Sequence, residues 1–103
     1  MEIGIVGLGR MGASMARRLA RGGAQVVAYD RDRAAREALG GENRIESVEG
    51  LAALAARLGG ERVILTMLPA GAPTEETLAE LLSLLSAGDM LVDGGNAYYK
   101  DTM

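Results

Sequence analysis

Runs of consecutive apolar residues alternate along this chain with longer stretches in which apolar residues recur every three or four positions. The first pattern is typical of parallel strands that are covered on both faces, and the second is typical of amphipathic helices. Glycine pairs and prolines separate many of the segments. The pattern predicts the order β-α-β-α-β-α-β-α-β, with strands over residues 2–6, 25–30, 44–46, 63–68 and 90–93.

Four helices are predicted between these strands, and three of them carry a clear apolar stripe. The predicted stripes are Met11, Met15 and Leu19 in the first helix, Leu51, Leu54, Ala55 and Leu58 in the third, and Leu78, Leu81, Leu82 and Leu85 in the fourth. Met11 and Met15 could instead face a cofactor, but we interpret them as core-filling residues.

Several residues are predicted to begin or end the helices. Asp32 should cap the second helix, over residues 33–39, and Ser47 should cap the third, because their side-chain oxygens can accept hydrogen bonds from the first helical N–H groups. Gly22 and Gly23 should end the first helix by supplying its left-handed position. Residues 69–74 are predicted to form a loop, since prolines and a glycine interrupt any regular period there.

With right-handed crossovers this order predicts an α/β fold with a doubly wound parallel sheet, strand order 3-2-1-4-5. The loops after strands 1, 4 and 5 then meet at the carboxyl edge of the sheet, where ligands bind in such folds. Residues 7–12, 69–74 and 94–96 are therefore expected to converge there. We expect residues 1–103 to form one domain.

A glycine-rich segment lies between the first strand and the first helix. Gly7 permits a tight turn, Gly9 has no Cβ that would block a phosphate, and Gly12 lets the helix lie close to the strand. With 15 glycines in 103 residues the spacing alone is weak evidence. Asp30 strengthens it, because it ends the next strand, where an acid can bind ribose hydroxyls. The context predicts a Rossmann-type dinucleotide site; a structural glycine turn and a merely solvated Asp30 are the alternatives.

Composition excludes several other functions. The net charge of −3 argues against nucleic acid as a partner. The chain has no Cys and no His, which excludes a thiol nucleophile, a histidine base and a zinc site built from those ligands, and we expect no metal. The start of the sequence has no leader-like segment, and no apolar run is long enough to cross a membrane. We therefore expect a cytoplasmic protein without a membrane partner.

Three motifs resemble the N-terminal NAD(P)-binding domain of decarboxylating 6-phosphogluconate dehydrogenases, within the wider β-hydroxyacid dehydrogenase superfamily. They are residues 7–12, residues 67–71, and the Asp-Gly-Gly-Asn of residues 93–96 followed by residues 99–101. Related β-hydroxyacid dehydrogenases typically have an Asp-x-Ser-Thr type sequence after the fifth strand, so the last motif favours the phosphogluconate branch. The resemblance implies an oxidoreductase of the pentose phosphate pathway, which converts 6-phosphogluconate to ribulose 5-phosphate and CO2.

The resemblance also implies roles for individual residues. Asn96 would lie between the nicotinamide and the substrate and bind both, although the family commonly has Ser where this chain has Ala97. The full set of expected cofactor-binding residues is Gly7, Leu8, Gly9, Arg10, Met11, Gly12, Asp30, Arg31, Leu68, Pro69, Ala70 and Asn96.

The family's catalytic Lys and Glu, its Ser-Gly-Gly substrate loop and its helical dimerisation domain have no counterpart in these 103 residues. Lys100 is expected to be a solvated lysine and not a replacement base. We therefore expect a truncated piece of a homo-oligomeric parent enzyme, with no catalytic residue of its own, that binds the dinucleotide without turnover.

Asp30 favours NAD over NADP, since its carboxylate would repel a 2′-phosphate. Arg31 could stack on the adenine, or it could still support NADP binding. Two other functions remain open from the residues alone. They are another β-hydroxyacid dehydrogenase and a non-catalytic NAD-sensing regulatory domain.

Overall fold

The computed structural model describes residues 2–39, 42–59, 62–67, 72–86, 88–93 and 96–99. The strands are β1 (Glu2–Val6), β2 (Gln25–Tyr29), β3 (Ile45–Ser47), β4 (Val63–Thr66), β5 (Met90–Asp93) and β6 (Asn96–Tyr99). The helices are α1 (Arg10–Arg21), α2 (Arg33–Leu39), α3 (Leu51–Arg57) and α4 (Ala72–Leu84).

One six-stranded sheet joins all the strands in the order β3-β2-β1-β4-β5-β6. The first five are parallel, so the predicted doubly wound order 3-2-1-4-5 is confirmed. Val6, at the end of β1, is in register with Tyr29 on one side and Thr66 on the other. The carboxyl ends of the three central strands therefore lie side by side.

The sixth strand was not predicted. β6 pairs with β5 in the antiparallel direction, with Asn96 opposite Asp93. From the sequence, the last strand was predicted over residues 90–93, with none after it. The two tyrosines of β6 suit a strand, and pairing with an existing edge stabilises a segment too short to be recognised alone.

Apolar side chains fill both faces of the sheet, as expected for parallel strands. The face under α3 and α4 is built from Val6, Val27, Leu51, Leu54, Leu58, Ile64, Leu81, Leu85 and Leu91. The face under α1 and α2 is built from Ile5, Leu8, Ala16, Ala20, Val26, Ala28, Leu39 and Ile45. The stripe predicted for the third helix is confirmed, because its four residues are all buried: Leu51, Leu54, Ala55 and Leu58.

The stripe predicted for α1 is displaced by one residue. Gly12, Ala16 and Ala20 are buried, whereas Met15 and Leu19 are only partly buried at the margin of the core. The side chain of Met11 lies outside the described part of the structure. Small residues on the inner face allow α1 to approach the sheet closely, and the bulky residues that mark the pattern in the sequence flank that contact.

Helix ends were predicted with mixed success. The Oδ1 atom of Asp32 accepts a hydrogen bond of 3.0 Å from the N–H of Ala34, which confirms the cap of α2. Gly23 has a φ of +102° after α1, which confirms the left-handed position. The prediction for Ser47 was wrong, because this residue ends β3 and α3 follows Gly50 without a side-chain cap.

The fourth helix begins earlier than predicted, and its predicted stripe is correct except at Leu82, with Leu78 packed against the core as expected. It starts at Ala72, so the second half of the predicted loop is helical, and Pro73 lies in the first turn, where proline is tolerated. Leu81 and Leu85 are buried, but Leu82 is 37% exposed and was wrongly placed in the core. Leu84 packs against the core in its place.

An ion pair closes the amino edge of the sheet, where β4 and β5 begin. The Asp89 carboxylate accepts hydrogen bonds from the backbone N–H groups of Arg62 at 2.6 Å and Ser86 at 2.7 Å, and from Nε of Arg62 at 2.8 Å. Burial opposes ionisation of this carboxyl group, but these bonds and the Arg62 charge outweigh burial, so the pKa of Asp89 lies below its ordinary value. No helix among the described residues is long and apolar enough to cross a bilayer.

Candidate functional site

The carboxyl ends of β1 and β2 meet the start of α1 at the glycine-rich loop. Gly7 has a φ of +97°, a conformation that favours glycine. Its N–H donates a hydrogen bond of 2.9 Å to the carbonyl oxygen of Tyr29, the last residue of β2. The loop is therefore attached to the neighbouring strand as it leaves β1.

Gly12 is the position at which α1 and the loop come closest. A Cβ added here would overlap the carbonyl oxygen of Gly7 and lie 2.9 Å from its carbonyl carbon. Backbone atoms cannot rotate away as a side chain can, so any other residue would push α1 off the loop. The expected close approach at Gly12 is confirmed.

Gly9 faces open space, in contrast with Gly12. A Cβ added at Gly9 would meet no atom within 4 Å. Gly9 is the N-cap of α1 but provides no side-chain hydrogen bond, and the first turn of the helix contains no acidic residue. The positive end of the helix dipole is thus left uncompensated by this turn, next to a space that an anion could occupy.

Asp30 follows β2 and is bonded to the same loop. Its Oδ2 atom accepts a hydrogen bond of 2.7 Å from the N–H of Leu8, and its Oδ1 atom accepts one of 2.8 Å from the N–H of Asp32. Each oxygen of a carboxylate can accept about two hydrogen bonds, so both can still take a further donor. Leu8 is only 5% exposed, so its side chain packs in the core and anchors the loop to it.

Arg36 of α2 holds the turn that carries Asp30, and sequence reasoning missed it. Its Nη1 atom donates to the carbonyl oxygen of Asp30 at 2.8 Å, with a longer contact of 3.4 Å to that of Arg31. The side chain is partly buried, whereas Arg31 is exposed beside Asp30. An arginine six residues after a strand-end acid could have been noticed, but the spacing alone does not indicate a backbone contact.

The remaining predicted residues are placed only in part. Asn96 begins β6 opposite Asp93, which is itself in register with Thr66 of β4, so its backbone lies at the carboxyl edge of the sheet. Arg10 and Met11 begin α1. The side chains of these three residues are outside the described part of the structure, as are Leu68, Pro69 and Ala70 altogether.

The site therefore combines one anion-accepting helix end with one carboxylate held by the same loop. The structure brings together Gly7, Leu8, Gly9, Gly12, Asp30 and Arg31. Phosphate oxygens suit the first feature, and a pair of neighbouring hydroxyls suits the second. Among the described residues, no cluster of three or more metal-binding side chains is present. The arrangement suits a ligand that carries both groups.

Comparison with known proteins gives one family. The family described as the NAD binding domain of 6-phosphogluconate dehydrogenase matches residues 2–103. The NAD(+)-dependent, decarboxylating 6-phosphogluconate dehydrogenase of Haloferax volcanii is 36% identical over 103 residues, covering 100% of this chain and 34% of that protein. The NADP(+)-dependent enzyme of Bacillus subtilis is 36% identical over 104 residues, covering 98% of this chain and 22% of that protein.

Solved structures give the same architecture. Arogenate dehydrogenase from Synechocystis has a TM-score of 0.69 at 27% identity, covering 90% of this chain and 32% of its own. A second match is a D-isomer specific 2-hydroxyacid dehydrogenase from Xanthobacter autotrophicus Py2, which was solved in complex with NADPH. It has a TM-score of 0.64 at 30% identity, covering 90% of this chain and 27% of its own. The chain spans about a third or less of the length of each of these proteins.

Proposed function

Because the chain belongs to the family of the NAD binding domain of 6-phosphogluconate dehydrogenase, we propose that it binds NAD at the carboxyl edge of its sheet as the cofactor domain of a decarboxylating 6-phosphogluconate dehydrogenase. The observation that carries this proposal is the 2.7 Å hydrogen bond between Asp30 and the N–H of Leu8. This bond joins the groups suited to a ribose and to a pyrophosphate into one unit.

The glycine-rich loop and the start of α1 would hold the pyrophosphate. The open space at Gly9 supports this role, since a phosphate can approach the backbone there without meeting a side chain. The close contact between Gly12 and the carbonyl group of Gly7 sets the position of the helix end. The family resemblance extends the proposed cofactor site to Arg10, Met11, Leu68, Pro69, Ala70 and Asn96.

Asp30 would bind the hydroxyl groups of the adenosine ribose and favour NAD over NADP. A 2′-phosphate about 5 Å from the carboxylate would cost about 3 kcal/mol per unit charge before salt screening, at an effective dielectric constant of about 20. Relatives named for NAD(+) and for NADP(+) both match the chain, so the preference rests on Asp30. Arg31, exposed beside it, would stack on the adenine.

In the parent enzyme, NAD held by these residues would supply the hydride acceptor for the oxidation of 6-phosphogluconate, whose decarboxylation would give ribulose 5-phosphate. The residues of this chain bind and orient the cofactor, and Asn96 would also contact the substrate. The family's catalytic Lys and Glu have no counterpart in these 103 residues, so we propose that the chain binds NAD without turnover. The proposal includes a cytoplasmic, homo-oligomeric parent protein.

Calorimetric titration of the chain with NAD and with NADP tests the proposal. We expect NAD to bind more tightly, and Asp30→Asn to narrow the difference by about tenfold, since one charge is removed. Asp32→Asn is the matched control, because it removes a neighbouring charge while Asn still caps α2. Tighter binding of NADP by the unmodified chain would contradict the proposed preference for NAD. If neither dinucleotide bound, the proposed binding site would be wrong.

A further inference from the structure

Arg36 extends from α2 to the backbone of the turn after β2. Its Nη1 atom lies 2.8 Å from the carbonyl oxygen of Asp30 and 3.4 Å from that of Arg31. The guanidinium group of a partly buried side chain thus contacts main-chain oxygens, which have the same chemistry whatever residue occupies the turn. The N–H groups of Nη1 are therefore already bonded within the protein.

The turn that Arg36 contacts carries the Asp30 carboxylate, whose Oδ2 atom also accepts the 2.7 Å hydrogen bond from the N–H of Leu8. Within the turn, Oδ1 of Asp30 accepts from the N–H of Asp32 at 2.8 Å, and Oδ1 of Asp32 accepts from the N–H of Ala34 at 3.0 Å. Both bonds are exposed to water, which competes with them. The contact from Arg36 is partly buried and fixes the Asp30 carbonyl group, which is bonded to the same Cα as the side chain that must be oriented.

We propose that Arg36 is a positioning residue that holds the Asp30 carboxylate in the orientation that accepts the hydroxyl groups of the adenosine ribose. The inference rests on the proposed function, since it requires a ribose at Asp30. Arg36 acts through Asp30, because its Nη1 atom donates to the carbonyl oxygens of the turn that carries this residue. Its removal therefore weakens the ribose contact more than the pyrophosphate contact.

The same helix supplies a matched control. Arg33 is also on α2, but its side chain is 81% exposed and its Nε atom bonds Glu37 at 2.9 Å. Arg36→Met and Arg33→Met remove the same charge from the same helix and keep an apolar stem. Only the first removes the contact with the Asp30 turn. Arg36→Lys keeps the charge and one set of donors, and it serves as a milder variant if Arg36→Met unfolds.

The experiment measures the affinity of each variant for NAD, for NADP and for the NAD analogue that lacks the adenosine 2′-hydroxyl. We expect Arg36→Met to weaken NAD binding about fivefold, which corresponds to the loss of one hydrogen bond. Binding of the analogue should weaken by less than about twofold. Arg36→Lys should fall between the wild type and Arg36→Met, and Arg33→Met should bind NAD and the analogue as the wild type does. The amide resonances of Leu8 and Asp32 should shift in Arg36→Met alone.

The possible outcomes distinguish a failure of the proposed role of Arg36 from a failure of the proposed NAD binding. If the wild type binds NAD but Arg36→Met equals Arg33→Met, or loses NAD and the analogue equally, the role of Arg36 is overturned and the proposed function stands. If Arg36→Met weakens NADP more than NAD, Arg36 is a phosphate ligand and the inference is wrong. If the wild type binds no dinucleotide, the proposed function and the inference both fail.

Discussion

Two aspartates at opposite edges of the sheet show how one side chain can serve structure and another can serve binding. Asp89 is 2% exposed, and its carboxylate is bonded to two backbone N–H groups and to the guanidinium group of Arg62. Asp30 is partly buried and accepts two backbone N–H groups without an ion pair among the described contacts. The first carboxylate is satisfied within the protein, whereas the second is oriented by it and keeps acceptor capacity for a ligand.

The difference follows from the topology. In parallel strands the carboxyl ends of β1, β2 and β4 lie together and are followed by loops, so this edge can remain open. The amino ends of β4 and β5 carry Arg62 and Asp89, which connect the two strands directly. Substitutions at the amino edge should therefore change stability, and those at the carboxyl edge should change NAD binding.

The largest expected effect is at Asp89. Asp89→Ala leaves Arg62 as a nearly buried cation without its partner and should lower the free energy of unfolding by about 3 kcal/mol. The affinity for NAD, measured where the variant is folded, should not change. Glu46→Ala is the control, because it breaks the Arg57–Glu46 pair of 2.9 Å in which both side chains are 49% exposed. Urea unfolding that showed equal losses for the two variants would contradict the assigned role of burial.

A pair of glycine substitutions tests the carboxyl edge at the next level of magnitude. Gly12→Ala forces a Cβ into the Gly7 carbonyl group and should lower the free energy of unfolding by about 2 kcal/mol and weaken NAD binding strongly. Gly9→Ala meets no atom in the free protein, so it should cost at most about 1 kcal/mol, from a poorer N-cap, yet also weaken NAD binding. If calorimetry showed that Gly9→Ala binds NAD with wild-type affinity, the assignment of the pyrophosphate to this loop would be wrong.

A smaller effect should appear as pH dependence at the amino edge. The pKa of Asp89 is lowered in the folded protein from an ordinary value of 3.8, so its ionised form stabilises the fold. This contribution is complete above the ordinary value and is lost as the pH falls through the folded pKa. Thermal unfolding of the wild type from about pH 5 to pH 2 should therefore show a loss that is reduced in Asp89→Asn. Parallel curves for the two proteins would contradict this assignment.

The smallest effect concerns Arg44, which precedes β3 at the amino edge and has a φ of +66°. Arg44→Gly removes the strain of a left-handed arginine but also a 3.3 Å hydrogen bond to the carbonyl oxygen of Gly23. We expect a net gain of about 0.5 kcal/mol in stability, with unchanged NAD affinity. A clear change in affinity would show that the two edges are coupled.

Features with a local signature could be predicted from the sequence. The five parallel strands follow from short apolar runs, and the conformations at Gly7 and Gly12 follow from the position of these glycines between a strand and a helix. The α1 stripe was misplaced because alanine and glycine carry little hydrophobic signal, although they make the contact. β6 was missed because its stability comes from pairing with β5.

Long-range polar contacts could not be predicted in this way. Asp30 was predicted to be a ribose ligand, but its bond to the N–H of Leu8, which joins residues 22 positions apart, was not. The contact between Arg36 and the Asp30 carbonyl oxygen depends on the path of α2 over the sheet. Such contacts use backbone atoms that every residue has, so residue identity carries no record of them.

The most direct test of the account is a crystal structure of the chain grown with NAD. The account predicts the pyrophosphate against the backbone N–H groups of residues 9–12 and the adenosine ribose hydroxyls within about 3 Å of the Asp30 carboxylate, which keeps its bond to Leu8. A dinucleotide bound elsewhere, or bound here with its ribose turned away from Asp30, would contradict it.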